Sequence, residues 1–124
     1  MARILVVDDD AQIRLMLERM LSRHGFEVLV AEDGAEALKT AIQNPVDVIL
    51  MDIIMPEKEG IETIVEMRKK FPRVKIIAMS GGSPYLGADT NLTIARRVGA
   101  DQILRKPFQQ VELLGAIREV LQDS

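Results

Sequence analysis

Five short apolar runs alternate with five segments of helical period along this chain, and this alternation constrains the fold more than any other feature. The apolar runs span residues 4–7, 27–31, 46–51, 75–79 and 102–105. The first helical segment carries Ile13, Met16, Leu17 and Met20, a spacing that places these side chains on one helix face. A glycine or a proline follows each of the first four helical segments, as is typical of helix ends.

Near-continuous apolar strands that alternate with helices are typical of a parallel sheet buried on both faces, because right-handed crossovers place helices on each side. We therefore predict a doubly wound α/β fold with a five-stranded parallel sheet and five helices. The common strand order is 2-1-3-4-5, which places ligand chemistry at the carboxyl ends of strands 1 and 3. With 124 residues the chain is long enough for one core, so residues 1–124 are predicted to form a single domain.

Charge and composition exclude several classes of function. We interpret the net charge of −3 as spread along the sequence without a basic run. This interpretation argues against direct binding of nucleic acid or of an anionic membrane. The absence of cysteine excludes disulfides and thiolate metal sites. Only a short apolar run separates Arg3 from Asp8, too short for a signal peptide or a membrane span. The expectation is a soluble cytoplasmic domain.

Polar residues follow four of the five predicted strands. Asp8 and Asp9 follow strand 1, Asp52 follows strand 3, Ser80 follows strand 4 and Lys106 follows strand 5. Because the carboxyl ends of parallel strands meet at one edge of the sheet, these side chains are expected to converge. Any one of them could simply mark the end of a buried strand, but the whole set indicates a site.

The chemistry of this set suits phosphoryl transfer. Carboxylates in contact repel one another by about 4 kcal/mol per pair at an effective dielectric constant of about 20, so a cation is required among them. Ligand sets of oxygen alone favour Mg²⁺. In this hypothesis Asp52 is the nucleophile that forms an aspartyl phosphate, Asp9 and Asp52 bind Mg²⁺ directly, and Asp8 binds it largely through water. Lys106 would pair with the phosphate, and Ser80 would donate a hydrogen bond to it.

The chain resembles, over its whole length, the receiver domain of two-component response regulators. The motifs that carry this resemblance are the acidic pair "DD", the "MD" and "MP" pairs of the third strand and its loop, and "KPF". The resemblance implies a flavodoxin-like receiver fold in which Asp52 accepts a phosphoryl group from a sensor histidine kinase or a histidine phosphotransfer protein. It also implies that the carbonyl of Ile54 completes the metal site, that Ser80 moves inward on phosphorylation, and that the Lys106–Pro107 peptide is cis. Such a domain is a switch, not an enzyme, and only self-phosphorylation and slow self-dephosphorylation are expected.

Two features depart from the family pattern. Ile103 stands where an aromatic residue is common, so the signal is expected to pass through other packing changes on the face formed by helix 4, strand 5 and helix 5. Residues 80–99 form a longer segment than is usual, either as a tolerated loop insertion or as a lid that includes Tyr85. Ile54 and Gly82 match positions that flank the path of the attacking water, and the bulky apolar Ile54 predicts slow hydrolysis of the phosphoaspartate.

Three functional hypotheses stay open at this point. The leading one is a phosphorylation-dependent switch that changes which partner it binds, either a separate effector protein or an output domain of a longer chain. The second is a phosphohydrolase with an aspartyl nucleophile, although Ile54 stands where that class needs a second acid. The third is an interaction module that is not phosphorylated, although its acidic, hydroxyl and lysine residues are in place. The first strand–helix turn, "VDDDAQIR", has no glycine, so no nucleotide cofactor is expected.

Overall fold

The computed structural model describes residues 2–53, 59–80 and 88–122, apart from the side chains of residues 59 and 88–92. Within these ranges five strands alternate with five helices. They are β1 (Arg3–Val7), α1 (Ala11–Arg23), β2 (Glu27–Ala31), α2 (Gly34–Gln43), β3 (Val48–Asp52), α3 (Glu59–Lys70), β4 (Lys75–Ser80), α4 (Ala88–Val98), β5 (Gln102–Arg105) and α5 (Gln110–Gln122). Among these helices, none has both the length and the apolar character that a membrane span requires.

All strand pairs are parallel, and the sheet order is β2-β1-β3-β4-β5, which confirms the predicted topology. Successive side chains of a strand enter opposite faces of the sheet. Leu5 and Val7 belong to the buried cluster on the face covered by α2, α3 and α4, whereas Ile4 and Val6 belong to the cluster covered by α1 and α5. Since both faces are covered, every residue of β3 is buried, and this explains why its sequence shows no alternation of polar and apolar residues.

The ends of α1 follow from local chemistry. Asp10 is the N-cap, and its Oδ1 accepts hydrogen bonds from the backbone amides of Gln12 and Ile13. At the other end Gly25 has a φ of +88°, and its amide donates to the carbonyl of Ser22. This conformation is easy for glycine alone, so the predicted role of Gly25 as a helix terminator is confirmed.

The third strand begins later than its apolar run predicts. Residues 46 and 47 precede β3, because Asp47 is held against β1: its Oδ2 accepts the amide of Arg3 at 2.8 Å, and its own amide donates to the Arg3 carbonyl at 2.9 Å. The strand ladder then extends through Asp52, whose partner in β4 is Met79. Asp52 is therefore the last residue of a buried strand, which fixes the position of its backbone at the edge of the sheet.

Candidate functional site

Three carboxylates meet at the carboxyl edge of the sheet. Asp8 directly follows β1 and Asp52 ends β3, and these two strands are neighbours, with Val7 in register with Met51. Carboxylate oxygens of Asp8, Asp9 and Asp52 lie within 4.8 Å of one another. Asp8 and Asp52 are only 1% and 4% exposed, whereas Asp9 is exposed. The structure thus brings together the three acidic residues that the sequence singled out.

Lys106 completes this cluster from the loop that follows β5. Its Nζ lies 2.8 Å from Oδ2 of Asp8 and 3.5 Å from Oδ2 of Asp52. Burial lowers the pKa of Lys106, but the hydrogen bond to Asp8 and the charges of Asp52 and Asp8 together outweigh it and raise the pKa above the ordinary lysine value. The ammonium group therefore stays charged at neutral pH. The predicted cis peptide between Lys106 and Pro107 is confirmed.

The charge and chemistry of the donors fit a hard divalent cation. Among the described residues, three carboxylates and one ammonium group leave two net negative charges in a largely buried cluster. The described donors of this cluster are oxygens, with neither histidine nor cysteine among them, a set that suits Mg²⁺. Both oxygens of Asp8 already accept hydrogen bonds, Oδ1 from the Asp10 amide at 2.9 Å and Oδ2 from Lys106.

Ser80 supplies a buried hydroxyl beside this cluster. It ends β4, is 0% exposed, and accepts the Lys106 amide at its carbonyl oxygen at 2.8 Å. Within the described part of the chain its Oγ has no hydrogen-bond partner. Leaving a buried hydroxyl unpaired costs about 1–3 kcal/mol. A hydrogen bond from this hydroxyl would therefore stabilise an acceptor that binds at this site.

Two residues that position the site were not anticipated from the sequence. Arg14 of α1 donates from Nη1 to the backbone carbonyl of Asp8 at 2.7 Å, which holds the turn between β1 and α1. Gly60 lies in the first turn of α3, where a Cβ atom would stand 2.5 Å from Cα of Ile53 and 2.6 Å from the carbonyl oxygen of Asp52. Only glycine lets α3 approach the end of β3 so closely. A glycine next to the start of a helical pattern was the only available signal.

The face formed by α4, β5 and α5 carries the first departure from the family pattern. Ile103 lies in β5 in register with Ala78, is partly buried, and packs against the buried cluster on the α2, α3 and α4 side. Ile94 of α4 and Val111 of α5 are 43% and 71% exposed, so each of these helices presents an apolar side chain to solvent.

Three residues named by the sequence analysis, Ile54, Gly82 and Tyr85, lie outside the described residues. The carbonyl ligand from Ile54 and the slow hydrolysis attributed to its side chain therefore stay predictions. The choice between a loop insertion and a lid around Tyr85 likewise stays open.

Comparisons with known proteins agree on one family. The model of the response regulator receiver domain matches residues 4–118. The chain is 38% identical over 124 residues to the transcriptional regulatory protein CpxR of Klebsiella pneumoniae subsp. pneumoniae (strain HS11286). The aligned region covers all of this chain but only 51% of that protein. It is 37% identical over 120 residues to the chemotaxis protein CheY of Bacillus subtilis (strain 168), covering 96% of this chain and 97% of that protein. The chain thus spans about half the length of the first of these curated relatives and nearly all of the second.

Solved structures give the same result. A CheY-like receiver domain protein from Methanospirillum hungatei JF-1 superposes with a TM-score of 0.90 at 31% identity, over 99% of this chain and 95% of that one. The response regulator protein TrrA from Thermotoga maritima, solved in complex with Mg²⁺-BeF, superposes with a TM-score of 0.80 at 35% identity, over 97% and 99% of the two chains.

Proposed function

Because this chain belongs to the response regulator receiver domain family, we propose that residues 1–124 form a single receiver domain in which Asp52 is the phosphoacceptor. Receiver domains are signalling switches of two-component systems. The observation that carries the assignment to Asp52 is the convergence of Asp8, Asp9 and Asp52 within 4.8 Å, with Lys106 bridging two of them. The Ser80 hydroxyl gives independent support, because it has no hydrogen-bond partner among the described residues.

The proposed donor is a phosphohistidine on a sensor histidine kinase or a histidine phosphotransfer protein. A carboxylate oxygen of Asp52 attacks the phosphorus, and the O–P bond forms while the P–N bond to the imidazole of the donor breaks. The imidazole leaves with the electron pair of that bond and takes up a proton. Lys106 holds the negative charge of the transferred group, and Ser80 donates its hydroxyl hydrogen to a phosphoryl oxygen.

Magnesium is the proposed cofactor. Asp9 and Asp52 would bind it directly, Asp8 largely through water, and Ile54 through its carbonyl oxygen. When bound, Mg²⁺ neutralises the charge that builds up between the carboxylates and the incoming phosphoryl oxygens. The net negative charge of the acidic cluster supports this assignment. TrrA, a relative of similar structure, was solved with Mg²⁺-BeF.

A groove on α1 supports docking of the phosphodonor next to the site. A cavity of about 550 Å³ lies between α1 and the start of α5 and is lined by Gln12 of the first helical turn and by Phe108. Leu15 and Met16 border it and are 46% and 57% exposed, so the groove presents an apolar surface to a partner. The donor's histidine must come within bonding distance of Asp52, so its carrier has to bind close to this edge of the sheet.

The output is proposed to use the face formed by α4, β5 and α5. The hydrogen bond from the Lys106 amide to the Ser80 carbonyl couples the ends of β4 and β5. An inward movement of Ser80 would therefore shift the end of β5. Ile103 would transmit it by repacking rather than by rotation of an aromatic ring. The partner is a separate effector protein or an output domain, as in the transcriptional regulators to which this chain is similar.

The decisive experiment is incubation with phosphoramidate and Mg²⁺ followed by intact-mass measurement. Wild type should gain the mass of one phosphoryl group, Asp52→Asn should not, and Asp9→Asn should gain it only slowly. Glu32→Gln, an exposed acid elsewhere, is the matched control and should react like the wild type. An unchanged wild-type mass would instead support an interaction module that is not phosphorylated, and a gain in Asp52→Asn would place the acceptor elsewhere.

A test of the docking groove follows from the same assay. Leu15→Ser/Met16→Ser should react normally with phosphoramidate but slowly with a phosphorylated histidine phosphotransfer domain that labels the wild type. Equal rates with the protein donor would show that this groove takes no part in docking.

A further inference from the structure

A second cavity, of about 580 Å³, lies at the amino end of the sheet, far from Asp52. The segments that precede β3 and β4 and the last turn of α5 form its walls. Its floor is apolar, with buried Val74 and Val120 and partly buried Phe71 and Leu121. We call this cavity the basic groove, because of the charges at its border.

The cations that border the basic groove are Lys70, Arg73 and Lys75, and among the described residues Asp47 is the only carboxylate that lines it. Asp47 is already engaged, since its Oδ2 accepts the amide of Arg3. Lys70 and Arg73 are exposed, and within the described residues neither forms an ion pair or a side-chain hydrogen bond. The groove thus combines an apolar floor with positive charge that is available to a partner.

These cations come from one stretch of sequence. The segment 68–75, "RKKFPRVK", holds five basic residues and no acidic one, so the interpretation of an evenly spread charge is wrong for this segment. Its first part is the last turn of α3, where the carbonyl end of the helix favours cations. The turn at Pro72 then places Arg73 and Lys75 beside the same cavity as Lys70.

We propose that the basic groove docks an acidic amphipathic peptide segment of a partner protein. The floor can be covered only by apolar side chains, and the border is matched by carboxylates, so the complementary ligand carries both on one short segment. A free phosphate ion would leave the floor in contact with water. Nucleic acid is a poorer match, because its backbone needs an extended positive surface and offers nothing apolar to the floor.

This docking is separate from the proposed phosphorylation. The groove shares no residue with the cluster around Asp52 and lies at the opposite end of β3. Peptide binding is therefore expected in both the wild type and Asp52→Asn without any phosphodonor. A failure of the peptide to bind would not contradict the assignment of Asp52 as phosphoacceptor. A failure of Asp52 to accept a phosphoryl group would likewise not contradict peptide docking.

The experiment is fluorescence anisotropy with a labelled peptide of about four helical turns, with leucines on one face and glutamates on the others. Saturable binding that weakens as salt rises is expected. Lys70→Glu/Arg73→Glu should lower the affinity about fivefold or more, because both charges border the groove. Lys39→Glu/Arg118→Glu makes the same change in net charge at exposed positions outside the groove and should alter the affinity by less than about twofold.

Several outcomes would overturn the proposal. One is the absence of saturable binding, and another is an equal loss in the two double variants, since this would indicate attraction by net charge alone. Equally tight binding of a scrambled peptide, with the same composition but no apolar face, would exclude a role for the floor. Tighter binding of duplex DNA than of the peptide would assign the groove to nucleic acid. Thermal unfolding of both double variants checks that their exposed substitutions leave the fold intact.

Discussion

The two ends of the sheet carry opposite charge. At the carboxyl end, Asp8, Asp9 and Asp52 lie together, and Lys106 pairs with Asp8 and Asp52. At the amino end, Lys70 and Arg73 border the basic groove. The net charge of the whole chain, −3, shows neither feature, because the two ends largely cancel. A single number for the chain thus hides two surfaces that select opposite kinds of ligand.

The difference follows from the topology. In a parallel sheet with alternating helices, every helix begins at the carboxyl end of the sheet and ends at the amino end. Amide groups at helix starts favour anions and carbonyl groups at helix ends favour cations, by about 0.3–1 kcal/mol per charge. Basic residues accordingly occupy the last turns of three helices, namely Arg23 in α1, Arg68, Lys69 and Lys70 in α3, and Arg96 and Arg97 in α4.

The two ends also differ in how charges are paired. The carboxyl end pairs carboxylates with an ammonium group, whereas Arg68, a half-buried cation at the amino end, is held mainly by backbone carbonyl groups. Its Nη1 donates to the carbonyls of Pro72 and Val74 at 3.0 and 2.7 Å, and its Nη2 donates to the carbonyl of Gly99 at 2.6 Å and to Asp101 at 2.7 Å. The carboxyl end can therefore exchange partners when a ligand arrives, and Arg68 serves as a fixed structural element.

The largest expected effect comes from the closest approach at the carboxyl end. Gly60→Ala places a methyl group against the backbone of Asp52 and Ile53, and we expect a loss of about 3 kcal/mol in the free energy of unfolding, measured in urea. Phosphorylation should slow as well, because the end of β3 has to shift. Gly115→Ala is the control: position 115 is exposed within α5 with open space around it, so a gain of about 0.5–1 kcal/mol is expected. Equal stability of both variants would contradict the packing argument.

A somewhat smaller effect is expected at the amino end. Arg68→Met removes four hydrogen bonds, which takes the Arg68 donor from three carbonyl groups and leaves the Asp101 carboxylate with the amide of Ile76, and this should cost about 2–3 kcal/mol. Lys69→Met, one position further along the same helical turn, is exposed and should change stability by less than about 0.5 kcal/mol. If Arg68→Met retained phosphorylation while losing stability, the structural role of Arg68 would be supported. A cost no larger than that of Lys69→Met would refute it.

The charge at the carboxyl end predicts a dependence on pH. Since the folded pKa of Lys106 is raised, its stabilising contribution is fully present below the ordinary lysine pKa of about 10.4 and is lost as pH rises through the higher folded value. Lys106→Met should therefore be less stable than wild type at neutral pH, by about 1–3 kcal/mol, and the gap should narrow in alkaline solution.

Lys39→Met is the matched control for this pH dependence, because Lys39 is exposed on α2. Its gap to the wild type should stay small and constant over the same range. A gap for Lys106→Met that did not change with pH would mean that packing, not charge, accounts for the loss.

The smallest effect concerns the lifetime of the phosphorylated form. If Ile54 obstructs the attacking water, Ile54→Asn should speed loss of the phosphoryl group several-fold by orienting that water, without changing the rate of phosphorylation by phosphoramidate. The measurement is the decay of the phosphorylated mass after removal of the donor. Rapid decay in the wild type itself would contradict the obstruction by Ile54.

Much of the fold and of the site was predictable because the signals are local. Each strand coincides with a largely apolar run, and a glycine or proline follows each of the first four helices, so element order follows from the sequence. Topology rules then place the ends of β1 and β3 side by side, which was sufficient to join Asp8 with Asp52. The roles of Gly60 and Arg68 were not predictable, since each depends on backbone atoms contributed by other elements.

The sequence by itself determined the alternation of strands and helices, the order of the sheet and the identity of the acidic cluster. It could do so because hydrophobic period and strand-end position are properties of neighbouring residues. Only the tertiary structure decided how Lys106 divides its contacts between Asp8 and Asp52, how closely α3 approaches β3, and that Lys70, Arg73 and Lys75 surround one cavity. These properties are distances between elements that are far apart in sequence, and they are set by packing across the whole domain.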